Sequence, residues 1–99
     1  MITKRPGPTP GTVVVHFQLP AVIWAETVTL VGDFNGWNRQ SHPLTRSRDD
    51  GSWHIEVALE VGKVYQFRYL VNGTDWQNDW NADRYIPNPF GGDNSVLET

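Results

Sequence analysis

Ninety-nine residues, 38% of them hydrophobic and 12% aromatic, suffice for one small domain with a modest core. A net charge of −3 without any cluster of Lys or Arg argues against the phosphate-neutralising surface that nucleic-acid binding needs. The chain has no cysteine, hence no disulfide or thiolate metal site, and no apolar run approaches membrane-spanning length. Neither nucleic acid nor a membrane is an expected partner. With no apolar signal core, cytoplasmic is the expected location.

Residues 1–11 hold three prolines and two glycines and no periodic pattern, which predicts a flexible lead-in to a folded domain over residues 12–99. Residues 12–19 then alternate, with Val13, Val15, Phe17 and Leu19 on one face and His16 and Gln18 on the other. Pro20 stops that strand. Residues 27–32 form the next, with Val28 and Leu30 sharing a face. Over residues 52–60, Trp53, Ile55, Val57 and Leu59 alternate with His54, Glu56, Ala58 and Glu60, between the turn segments Asp49-Asp50-Gly51 and Val61-Gly62. Residues 63–72 turn Tyr65, Phe67, Tyr69 and Val71 inward and Val64, Gln66, Arg68 and Leu70 outward. Asn72-Gly73 is a favoured two-residue hairpin turn, because both residues tolerate positive φ. Residues 94–98 are the last expected strand.

No segment longer than a turn carries the 3.6-residue period of a helix. The fold predicted is therefore all-β: an immunoglobulin-like antiparallel sandwich of about six to eight strands. Residues 74–93 stand apart, holding Trp76, Trp80, Tyr85 and Phe90 among polar residues and prolines. A stretch of that length without a strand pattern, inside a compact domain, is usually there for function.

Two of the five tryptophans close turn-forming segments. Trp37 ends Val31-Gly32-Asp33-Phe34-Asn35-Gly36-Trp37, and Trp76 follows Asn72-Gly73-Thr74-Asp75. A tryptophan set by a turn is a candidate for an exposed stacking face, suited to a ligand with apolar faces and a polar edge, such as a sugar. Arg68, on the outward face three positions before the turn that presents Trp76, can reach the edge of such a ligand.

Val28-Thr29-Leu30-Val31-Gly32-Asp33-Phe34-Asn35-Gly36-Trp37 resembles the opening signature of carbohydrate-binding module family 48. Tyr65-Gln66-Phe67-Arg68-Tyr69-Leu70-Val71-Asn72-Gly73, then Trp76, then Asn94-Ser95-Val96, resemble its later motifs in the right order. The family includes the glycogen-binding domain of the AMP-activated protein kinase β subunit and the N-terminal early-set domains of isoamylases and glycogen-branching enzymes. The resemblance implies an α-glucan site in which Trp37 and Trp76 stack on glucose rings and Arg68 and Asn94 bind hydroxyls. A leucine of the kinase-type members falls on Phe90, read as an accessory contact, and a threonine falls on Gly92, which removes a hydroxyl. The function so implied is non-catalytic binding of α-1,4-linked glucan: glycogen, starch or maltooligosaccharides.

Plainer readings stand beside these. Trp37 is either a platform or a plug over the sandwich edge. Trp53 reads as core, Trp24 as packing under the first connection, and Trp80 either as filler or as an extension of the Trp76 surface. Arg68 has a structural alternative in a cross-strand pair with Glu56 or Glu60, and Asn94 one as a strand-entry residue. His16, His42 and His54 lack metal spacing, and the aspartates fall in turns, so no metal, cofactor or catalysis is expected. The alternative function is a protein-interaction or ancillary early-set domain that docks onto a glycoside hydrolase or branching enzyme. Such a domain is either free-standing or part of a longer chain.

Overall fold

The computed structural model describes residues 2–21, 25–88 and 92–99. Among the described residues, nine strands make two antiparallel sheets. The first sheet holds β1 (Ile2–Pro6), β2 (Thr12–Leu19), β5 (Trp53–Glu60) and β4 (Thr45–Arg46), in the order β1-β2-β5-β4. The second holds β3 (Val28–Gly32), β6 (Val64–Val71), β9 (Asp93–Glu98) and β8 (Arg84–Pro87) in the order β3-β6-β9-β8, and β7 (Asp75–Gln77) also pairs with β6. Among the described residues no helix is long and apolar enough to cross a membrane.

The sandwich follows from the alternation. Val13, Val15, Phe17 and Leu19 of β2 and Trp53 and Leu59 of β5 face Val28 and Leu30 of β3, Phe67, Tyr69 and Val71 of β6 and Leu97 of β9 in one core. Trp53 is core, as its alternation predicts. Phe17, Phe67 and Tyr69 meet edge to face, with ring centroids 5.3 and 5.8 Å apart. At the base of that row Tyr69 Oη donates to the buried carboxyl of Asp79 (2.6 Å). Burial pushes the Tyr69 hydroxyl well above its ordinary value, and the neighbouring Asp79 adds to this.

Three features depart from the sequence expectation. Residues 2–6 are not lead-in but an edge strand, paired with β2 from Ile2↔Phe17 to Pro6↔Val13. An unpaired β2 would present a row of bare N–H and C=O groups, and β1 covers it. The long stretch after the hairpin is not structureless either, since it contributes β7 and β8; with β1 and the short β4, these bring the five strands placed from sequence to nine, one above the range expected. Finally, the turn after β6 is a three-residue loop, 72–74, joining Val71 to its partner Asp75, although Asn72 and Gly73 do adopt positive φ. Phe90 and Trp24 lie outside the described residues.

Candidate functional site

The site is built where β6 changes partners. Residues 64–67 of β6 pair with β9, and residues 69–71 pair with β7 along the same edge. Arg68 is the residue between the two ladders. On its other edge it pairs with Val31 of β3. Trp76 lies opposite Leu70, so strand alternation puts Trp76, Leu70, Arg68 and Gln66 on the outward face. Asn94, paired with Ile86 of β8, enters from the start of β9.

The segment bearing Trp37 is fixed from below. Gly32 ends β3 so close to β6 that an added Cβ would lie 2.6 Å from the Gln66 carbonyl oxygen and 2.7 Å from Phe67 Cβ. A 3-10 turn, Asp33–Asn35, follows. Asn35 stitches it, accepting from Gly32 N (3.1 Å) and donating to the Leu30 carbonyl (3.1 Å). Gly36 (φ 64°) and Trp37 (φ 58°) are both left-handed, a conformation that costs a non-glycine residue roughly 1–2 kcal/mol. Two contacts hold Trp37 there: its N–H bonds the Gly32 carbonyl (2.9 Å), and its indole N–H donates to Asp33 Oδ1 (2.9 Å). The other Asp33 oxygen accepts Gln66 N (2.8 Å), taking the place of a strand where β3 leaves the sheet. Trp37 is half-buried, its indole N–H tied to its own turn.

A run of side-chain amides continues from there. Asn94 Nδ2 donates to Gln66 Oε1 (3.1 Å), and Asn88 Nδ2 donates to Asn94 Oδ1 (3.2 Å). The Trp76 ring has two guanidinium groups within cation–π range: Arg39 Cζ at 5.5 Å and Arg68 Cζ at 5.8 Å from the centroid. Arg68 Nε is buried without a hydrogen-bond partner among the described residues. It does not pair with Glu56 or Glu60, which lie on the other sheet and bond Arg5 and Lys63.

Of the residues singled out from sequence, Trp37, Arg68, Trp76 and Asn94 thus belong to one connected region. Trp80 lines a pocket with Gln18, Leu19, Pro20 and Asn81, a lining that does not include Trp76. Sequence reasoning missed Asp33, Gln66, Asn88 and Arg39. Asp33 had a usable signal, an acidic residue opening a turn that ends in tryptophan. Arg39 had none, since its contact with Trp76 spans 37 residues (76 minus 39).

The opposite outer face holds one further polar chain. Ser52 Oγ donates to Asp50 Oδ1 (2.6 Å) and lies 2.5 Å from His54 Nε2, while His54 Nδ1 lies 2.8 Å from His16 Nε2. The two Ser52 donors hold the Asp50 carboxyl below the usual carboxylate range. The serine stands between the acid and the histidine, whereas nucleophilic catalysis needs the histidine between serine and acid. Among the described residues no group of three acidic, histidine or cysteine side chains is arranged to hold a metal.

Residues 20–90 match the sequence model of carbohydrate-binding module 48 (isoamylase N-terminal domain). The chain is similar to the 1,4-alpha-glucan branching enzyme GlgB of Novosphingobium aromaticivorans, 36% identical over 64 residues covering 62% of this chain and 8% of that protein. It is also similar to the enzyme of the same name from Butyrivibrio fibrisolvens, 33% identical over 67 residues, 64% of this chain and 10% of that protein. With GlgB 2 of Xanthomonas campestris it shares 40% identity over 61 residues, 54% of this chain and 8% of that protein. The matched part is thus a tenth or less of each of these relatives.

Proposed function

Since the chain belongs to the carbohydrate-binding module 48 family, the isoamylase N-terminal domain family, we propose that it binds α-1,4-linked glucan and does no chemistry itself. The binding domain is residues 12–99, with β1 laid along its edge. Trp37 and Trp76 stack on glucose rings, Arg68 and Asn94 bind hydroxyls, and Phe90 adds an accessory contact, a role that rests on the family resemblance alone.

One observation carries this reading. Arg68 leaves β6 in the gap between two ladders, beside the Trp76 ring, with an unpartnered Nε and an amide run that includes Asn94. A pyranose has C–H groups on its faces and hydroxyls around its edge, so a ring with a guanidinium and amides beside it matches both. If one stacked sugar face removes about 60 Å² of apolar surface from water, each tryptophan contributes roughly 1.5 kcal/mol. Two such contacts, set against the entropy of association, give a dissociation constant on the order of 10 μM to 1 mM for one chain. Branched polymers bind more tightly by avidity.

Amide NMR with β-cyclodextrin or maltoheptaose as ligand and cellohexaose as control tests the reading. Saturable shifts at Trp37, Trp76, Arg68 and Asn94, absent with cellohexaose, are expected. No shift at several millimolar sugar would sink it. The second reading, an ancillary domain docked on an α-glucan-metabolising enzyme, is favoured by one finding: the similar relatives named above are all branching enzymes. It predicts that the isolated chain ignores sugar and binds such an enzyme instead.

A further inference from the structure

Trp80 is the most exposed large hydrophobic side chain described, at 61%. Yet the residue that precedes it is buried and fully hydrogen-bonded. Asp79, 1% exposed, makes four hydrogen bonds. Its carboxyl accepts from Tyr69 Oη (2.6 Å) and Asn81 N (2.7 Å), its N–H donates to Ser95 Oγ (2.9 Å), and its carbonyl accepts from Tyr85 Oη (2.5 Å). The residue before Trp80 is therefore fixed to the sandwich and the one after it is tied back to Asp79, which spares a ligand part of the cost of ordering the ring.

What surrounds the ring limits what it takes. Trp80 shares a pocket of about 240 Å³ with Gln18, Leu19, Pro20 and Asn81. That volume is below the roughly 300–1,000 Å³ of drug-sized ligand sites, so it suits one small ring and not a chain. None of the five residues is charged, which disfavours phosphates, carboxylates and cations. The Gln18 and Asn81 carboxamides form its polar lining, while Trp80 and Pro20 supply apolar surface. A neutral ring with apolar faces and a hydroxylated edge answers that chemistry. The pocket lies between the end of β2 in the first sheet and the β7–β8 connection of the second, and its lining includes none of Arg68, Trp76 and Asn94.

We propose that Trp80, with Gln18, Leu19, Pro20 and Asn81, is a second glucan-contact site that takes a single glucose unit, such as a chain end. The proposal rests on the α-glucan reading for the identity of the sugar, but not for the site's existence. A lone ring bound this way is weak. On a branched polymer it gains from the millimolar effective concentration set by the first site, which adds about threefold to tenfold in apparent affinity.

The test follows the indole N–H resonances during maltotriose and cellotriose titrations of the native chain, Trp80→Ala and the double variant Trp37→Ala/Trp76→Ala, with glycogen binding measured alongside. The second site predicts a saturable shift of Trp80 with either sugar, because one glucose unit carries no linkage to read, and that shift persists in the double variant. Trp80→Ala then lowers glycogen affinity about threefold to tenfold while the maltotriose shift of Trp76 keeps its midpoint. Trp80→Phe restores part of the loss. A Trp80 resonance that stays still while Trp76 shifts overturns the second site and leaves the first standing. Movement of Trp80 alone overturns the first and leaves the second. A Trp80 shift that vanishes in the double variant is relayed from the first site and overturns the second.

Discussion

The outer faces of the two sheets follow the same alternation and have opposite characters. On the four-stranded sheet the outward positions of β5 are His54, Glu56, Ala58 and Glu60, and the last three are exposed. Arg5 pairs with Glu56 there, and His16 stacks on His54 with centroids 5.0 Å apart. On the five-stranded sheet the corresponding positions include Leu70, Val31 and Val96, which are 3%, 0% and 0% exposed and lie outside the main core cluster. Apolar residues on a nominal outer face are buried only if side chains roof them. The roof includes Arg68, whose Nε is itself buried, and Trp76 sits directly across from Leu70. Both faces satisfy the sandwich. Only one spends outward positions on a second apolar layer, and that layer carries the rings and amides proposed to bind glucan.

The sharpest way to break that comparison is to remove the rings. Trp37→Ala or Trp76→Ala should each lower maltoheptaose affinity about tenfold, the equivalent of roughly 1.4 kcal/mol, and the double variant should show no measurable binding at the first site. His16→Ala and His54→Ala, on the opposite face, should leave the midpoint within error in calorimetry. Equal losses from both faces would mean that the contrast has nothing to do with binding.

The next effect concerns the frame under the ring. In Gly32→Ala the new Cβ meets backbone and a β-carbon of β6 at 2.6 and 2.7 Å, neither of which can swing away. Overpacking of this kind costs about 1–3 kcal/mol, read as a lowered melting temperature. Asp33→Ala removes two hydrogen bonds that tie the Trp37 indole and Gln66 N together. Its stability loss should be smaller, about 1 kcal/mol, with a severalfold loss of maltoheptaose affinity because Trp37 is no longer held. Gly32→Ala with an unchanged melting temperature, or Asp33→Ala with unchanged affinity, would show that the turn does not position the ring.

How much of this was legible depended on the range of the interaction that decides each feature. β2, β5 and β6 were readable because period-2 alternation is local, and so was the outward placement of Arg68. The tryptophans stood out because a turn beside an indole is a local contradiction of burial. β1 was hidden: Thr3, Lys4, Arg5 and Pro6 have no strand pattern of their own and become a strand only because β2 has an edge to cover. β8 is similar, acquired through pairing with β9. The Arg39 contact with Trp76 and the Asn94–Gln66 bond join residues distant in sequence, and no short window along the chain contains them.

The smallest expected effect probes how the two faces are clasped together. Asp83, just before β8, accepts from Lys4 of β1 (3.0 Å) and from Glu98 N of β9 (2.7 Å), and so links the first sheet to the second. Burial alone would raise its carboxyl, but the Glu98 N–H and the Lys4 ammonium outweigh it and hold the group below the usual carboxylate range. A depressed carboxyl stabilises the fold above its unfolded value, near 4, and that contribution is lost as pH falls through the folded value. Asp83→Asn should therefore be less stable than the native chain at neutral pH. Because the pair is partly exposed, the difference should be only about 0.5 kcal/mol. Denaturant melts of both proteins should converge as pH drops below about 4, and salt should narrow the gap at neutral pH. A gap that persists undiminished in acid would assign the loss to the shape of the side chain, and the clasp would then owe nothing to charge.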